Sequence, residues 1–259
     1  MKNSLILLLL FSFWAFNGYS QGEKVINIQI GMNFQNLLDQ GHSPLVYTGA
    51  GVSPGFSFYK KNDSKLHGLS FQIMGANLEA RLEKAFDYQL NSASRQAYHF
   101  SWFYMKKLPT NRVNIYLGGK AAVLYDLVNY NHQANNPTGY ELSISVNPAI
   151  YADYPIASFL TVSIEGDIAL LAYNTRPYPL GLFPLEDFDV DMNEVLFGGS
   201  LVSFNKVFQI HSRATLEWKL KHKQVNLFLD FQGGINTLSE RREYTFSQVG
   251  LEIPLFLKN

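Results

Sequence analysis

Ser158–Leu170 reads SFLTVSIEGDIAL. Leu160, Val162, Ile164, Ile168 and Leu170 fall on one face of an extended chain, and Thr161, Ser163, Glu165 and Asp167 on the other. Successive strand side chains point to opposite sides, so this period of two marks a β-strand between an apolar and a polar environment. Tyr140–Ile150, YELSISVNPAI, repeats the pattern, with Leu142, Ile144, Val146 and Ile150 opposed to Glu141, Ser143, Ser145 and Asn147. The fold turns on which of the two environments is water.

Working outward from these segments, ten strands are expected. They are Val25–Phe34, Val46–Tyr59, Leu66–Leu78, Gln96–Met105, Arg112–Leu124, Tyr140–Tyr151, Ser158–Ala172, Phe208–Leu220, Val225–Gly234 and Tyr244–Leu257. Many exceed the usual five or six residues of soluble sheets and match the 9–11 or so that a tilted strand needs to cross lipid. The links alternate in length. Lys60–Lys65, Lys106–Asn111, Ala152–Ala157 and Lys221–Gln224 are short and rich in Pro, Asn, Asp and Lys, which is turn chemistry. Asn36–Leu45, Glu79–Arg95, Tyr125–Gly139 and Tyr173–Val207 are long. An eleventh strand at Val195–Phe204 would break the even count, so that stretch is assigned to the last of the long loops.

Charges test the register, which is set by apolar residues alone. Lys120, Glu141, Glu165, Asp167, Arg213, Glu217, Lys219, Asp230 and Glu252 all fall on the face opposite the apolar stripe. Gly118, Ala122, Gly234 and Gly250 share that polar face, where a crowded lumen needs small residues and a wet surface does not. Aromatics gather near strand ends at Tyr47, Phe58, Tyr59, Phe100 to Tyr104, Tyr116, Tyr125, Tyr140, Tyr151, Tyr154, Tyr173, Tyr244 and Phe246, the placement expected of interfacial girdles. The fold class is therefore all-β: a transmembrane antiparallel up-and-down barrel of about ten strands, within a range of 8–12. A soluble sandwich is the alternative.

Residues 1–20 have the layout of a cleaved signal peptide, with Lys2, the apolar run Leu5–Phe16 and small residues at Gly18 and Ser20. Residues 21–259 then form a single barrel domain. The 21 basic and 21 acidic residues balance, so nothing points to nucleic acid. The absence of cysteine excludes disulfides, a lipidated cysteine and thiolate metal sites.

In strand length, turn rhythm and alternation the chain resembles the broad class of small bacterial outer-membrane β-barrel proteins. The resemblance covers most of 21–259 and rests on architecture. It implies export to the outer membrane of a Gram-negative envelope, contact with outer-membrane lipid, short turns in the periplasm and long loops outside. The class commonly ends in an aromatic residue, whereas Phe256 here precedes Leu257, Lys258 and Asn259.

Three functions are weighed. The first is a non-enzymatic structural, interaction or envelope-assembly barrel with a narrow, charge-filled lumen, meeting an envelope protein through the loops Glu79–Arg95 and Tyr173–Val207. The second is an outer-leaflet lipid hydrolase. His99-Phe100-Ser101 resembles the H-x-S element of outer-membrane phospholipases and lipid A deacylases, which implies Ser101 as nucleophile and His99 as base near the outer leaflet. The third is a small-solute pore, porin-like in architecture but too narrow for the wide channels that need about 16 strands. Asp187, Asp189 and Asp191 could serve a surface protease or a calcium site, but LEDFDVDMNE reads first as a solvated acidic loop. His42 reads as a turn residue. No metal or other cofactor is expected, and the sequence leaves the oligomeric state open.

Overall fold

A computed structural model describes residues 23–41, 43–80, 92–110, 112–131, 138–176, 198–221, 223–238 and 240–257. The signal segment, His42 and Asp187, Asp189 and Asp191 lie outside the described residues. Twelve strands form one sheet: β1 (Glu23–Asp39), β2 (Ser43–Lys61), β3 (Lys65–Ala80), β4 (Ser92–Lys107), β5 (Asn114–Tyr130), β6 (Thr138–Ala157), β7 (Leu160–Ile168), β8 (Leu171–Thr175), β9 (Ser200–Ser203), β10 (Val207–Lys219), β11 (Gln224–Asn236) and β12 (Arg242–Leu257).

Each strand pairs antiparallel with its neighbour, β5 pairs with β6, and β1 pairs with β12 from Lys24↔Leu257 to Asp39↔Arg242, so the sheet closes into a barrel. The barrel has ten staves. β7 stops after Ile168 and β8 resumes at Leu171, both pairing with β6. β9 pairs with β8 where β10 would otherwise lie, so β7–β8 and β9–β10 are each one interrupted stave. Ser200–Ser203 is thus strand rather than loop, and it lengthens an existing stave instead of adding one. Parity is preserved.

Alternation settles the environments. Along β1, Asn27, Gln29, Asn33 and Gln35 are buried in the interior. Ile28, Ile30, Met32 and Phe34 are 50–59% exposed on the outside. The same outward stripe continues through Ile144, Val146 and Ile150 of β6, Leu227 and Leu229 of β11, and Leu251, Ile253 and Leu255 of β12. A continuous apolar exterior of this kind far exceeds the patches that soluble monomers show, and hydrocarbon is the solvent that matches it.

Three expectations need correction. First, strands run further than alternation over the clearest segments indicated. β1 extends to Asp39 and β2 begins at Ser43, so most of Asn36–Leu45 is wall. β6 runs through Ala157, with a register shift between Pro155 and Ala157, so Ala152–Ala157 is strand and the link is Ser158–Phe159. A bulge tolerates Pro155 because proline has no N–H to donate. Second, the fifth strand starts at Asn114 rather than Arg112. Third, the expected aromatic girdle divides. Phe100, Trp102 and Tyr154 are exposed on the exterior, but Tyr47, Tyr116, Tyr244 and Phe246 are buried in the interior. Interior aromatics here fill volume, because ten staves leave a lumen that side chains can occupy.

Candidate functional site: the charged lumen

The inward-facing residues form three tiers. The middle tier centres on Lys120 of β5. Its Nζ lies 2.8 Å from Asp167, 3.0 Å from Glu165 and 3.3 Å from His211 Nδ1. Asp167 also accepts from Asn147 at 2.6 Å and stands 2.9 Å from His211 Nδ1, while His211 Nε2 is 3.2 Å from Asp230. With a carboxylate against each ring nitrogen, the imidazolium form of His211 satisfies both. Arg213 donates to Glu252 at 2.5 Å and to Gln29 at 2.9 Å, with its guanidinium 4.1 Å from the Phe228 ring centre. Asn226 completes Glu252 at 2.8 Å. Glu165, Asp167 and His211 bring three ligand-type atoms within 4.8 Å of one another, but the Lys120 ammonium already lies among them.

The tier toward the long loops is drier. Arg95 of β4 grips Asp126 of β5 with two hydrogen bonds of 2.9 and 2.5 Å. Arg242 of β12 reaches the same carboxylate at 2.8 Å and stands 3.4 Å from Glu141. Asn174 and Asn236 donate to Glu141 at 2.7 and 2.9 Å. Arg176 is paired with Asp39 and donates to the Glu240 carbonyl at 2.6 Å. Around these ions pack Leu37, Met74, Leu78, Val128, Tyr130, Tyr244 and Phe246, all buried. The Phe246 ring lies 4.1 Å from the Arg95 guanidinium. Charges this deep are stable only when paired and hydrogen-bonded, and they fix one arrangement of the surrounding staves.

Toward the short turns, Lys61 pairs with Asp153 at 2.5 Å, Asn114 donates to Asp153 at 2.6 Å, and Tyr116 and Tyr151 flank the ammonium. Between this tier and the middle one lies a cavity of about 100 Å³ lined by groups including Tyr59, Gln72, His99, Tyr151 and Glu217.

Of the charges picked out by alternation, Lys120, Glu165, Asp167, Arg213, Asp230 and Glu252 meet in the middle tier. Glu141 belongs to the tier toward the long loops, Glu217 lines the cavity, and Lys219 is exposed at the short-turn rim. Asp39, Arg95, Asp126 and Arg242 were missed because the expected strands stopped at Phe34 and Leu124 and began at Gln96 and Tyr244, and Arg176 because it lies past the end expected at Ala172. Alternation continued past those ends finds four of them. Asp39 keeps the parity of Asn33, Arg95 that of His99, Asp126 that of Lys120, and Arg242 that of Tyr244.

His99 and Ser101 do share a face, but it is the buried interior face, halfway down β4 rather than at the rim beside the outer leaflet. Ser101 Oγ bonds Ser70 Oγ at 2.7 Å, while the His99 ring neighbours that of His211 at 6.3 Å between centroids. A serine hydroxyl committed to a second serine, away from lipid, is not arranged as an activated nucleophile.

No protein-family model matches the chain, and no curated protein matches it by sequence. The solved structures it is similar to include three bacterial proteins. The translocator domain of the autotransporter NalP from Neisseria meningitidis is 9% identical, with 97% of this chain and 95% of that one covered and a TM-score of 0.41. The toluene transporter TodX of Pseudomonas putida is 7% identical, with 91% and 90% covered and a TM-score of 0.37. Ail, the attachment invasion locus protein of Yersinia pestis, is 10% identical, with 91% and 100% covered and a TM-score of 0.31.

Proposed function

We propose that this chain is an exported outer-membrane barrel that conducts nothing and works through what it displays at its long-loop end. In this reading residues 1–20 direct export, the short turns face the periplasm, and the loops after β3 and β8 meet an envelope partner. Rigid walls carrying variable loops are a common way to build such a surface. The observation that carries the closed reading is the set of ion pairs linking staves across the tier toward the long loops. Arg95, Asp126, Arg242 and Glu141 come from four different strands and are each at most 1% exposed. A solute would have to break several buried ion pairs to pass, whereas a pore needs a continuous wet path.

Planar-bilayer recording tests this directly. Purified protein is expected to insert without discrete current steps, and steps of reproducible size would overturn the closed reading. The display role is tested by crosslinking in intact cells through the long loops. Recovery of one defined envelope protein supports it, and recovery of none counts against it.

A further inference from the structure

Among the described residues, the short-turn end carries a collar of exposed cations that outnumber the exposed acids beside them. Lys65 and Lys106 are directly paired across β3 and β4, and both are exposed on the outer surface. Like charges directly opposite one another repel, so such pairs are disfavoured unless something else neutralises them. Lys221, Lys223 and Arg112 add exposed charge around the same rim, against Glu23 and Asp63 as its exposed acids among the described residues. Neither Lys65 nor Lys106 has an acidic partner among the described residues, and the Lys65 ammonium lies instead 5.9 Å from the Tyr104 ring centre.

A band of aromatics accompanies the collar on the exterior. Trp102, Tyr154, Phe159 and Trp218 are all about half exposed there, and Trp102 and Trp218 are both tryptophans of the chain beyond residue 20. At the opposite end the exposed charges of the described residues are mixed: Glu79 and Lys206, with Arg241 bound to Glu243. Among the described residues, the excess of exposed positive charge therefore lies at the short-turn end.

We propose that the collar binds anionic phospholipid headgroups of the leaflet facing the short turns, an inference that rests on the membrane-spanning reading above. The aromatics settle at headgroup depth, and the lysines lay their stems along the apolar wall and reach outward to the phosphates. Each engaged lysine then favours an anionic over a neutral lipid by up to roughly fivefold, and salt weakens the effect.

Native mass spectrometry of the protein in micelles doped equally with phosphatidylglycerol and phosphatidylcholine tests this. A severalfold excess of retained phosphatidylglycerol is expected. The excess should vanish in the variant Lys65→Gln/Lys106→Gln/Lys221→Gln/Lys223→Gln while heat-modifiable gel migration, the mark of the intact barrel, is kept. Equal retention of both lipids by the parent, or an unchanged excess in the variant, overturns the proposal. So does capture of soluble polyglutamate that phosphatidylglycerol fails to displace, because the collar would then suit an acidic polypeptide. Failure of the membrane reading has its own signature. The protein would enter neither neutral nor anionic vesicles, and the emission of Trp102 and Trp218 would not shift to the blue with either.

Discussion

Arg95 and Asp126 face each other across β4 and β5 in a two-pronged pair, Nε to Oδ1 at 2.9 Å and Nη2 to Oδ2 at 2.5 Å, with neither side chain more than 1% exposed. Asp126 also receives Arg242 at 2.8 Å, so one carboxylate serves two guanidinium groups. Asp126→Asn keeps the shape but strands the buried Arg95 and takes from Arg242 one of its acidic neighbours, leaving it Glu141. A loss of about 3–5 kcal/mol is expected, since removing one partner of a buried pair leaves uncompensated charge. The midpoint of urea unfolding, followed by gel mobility in detergent, measures it.

Lys120 stands where a divalent cation would be held by Glu165, Asp167 and His211. Lys120→Ala removes the resident charge and leaves two carboxylates and an imidazole converging. The variant is expected to be less stable than the parent, and zinc should restore part of the loss, because a ligand that binds only the folded state raises its stability. Thermal melting with and without zinc reads this, and the parent should not respond.

Gly51 and Gly75 are near neighbours in β2 and β3 with opposite demands. A Cβ on Gly51 would lie 1.7 Å from the Gly75 carbonyl oxygen, a backbone atom that no rotamer change can move. A Cβ on Gly75 meets nothing within 4 Å. Gly51→Ala should therefore reduce the yield of the heat-modifiable form sharply. Gly75→Ala should be neutral or stabilise by about 0.5 kcal/mol, since glycine in a strand carries an entropic cost.

Ile30 is 59% exposed on the outer wall, midway along β1. Ile30→Arg would be nearly silent in a protein bathed by water. On a lipid-facing wall it should cost about 2–4 kcal/mol. Glu79→Arg, at the long-loop rim, should change stability by less than about 0.5 kcal/mol. Unfolding from vesicles compares the two.

The ten-stave wall was legible because alternation is a one-residue rule that survives any uncertainty about partners. Ser158–Leu170 announces its own two faces, and in the barrel Asp167 turns inward and Ile164 outward as read. Alternation fixes face but not height or cross-lumen distance. Nothing in the sequence says that Arg95 and Arg242, from β4 and β12, meet on one Asp126. Aromatics near strand ends look alike when only their residue type and position are read. Trp102 faces out and Tyr116 faces in, and only the register of each strand separates a membrane anchor from lumen filling. The break between Ile168 and Leu171 was hidden because β8 keeps the direction and pairing partner of β7.

The pairing of β1 with β12 has a consequence for biogenesis. These two staves form the seam of the cylinder, yet they are the first and last to leave the ribosome. Until β12 is delivered, β1 and β11 both carry an unpaired edge, open to association with any other extended chain. Closure therefore waits for the final stave, and until it zips those two margins together they stay open to mispairing.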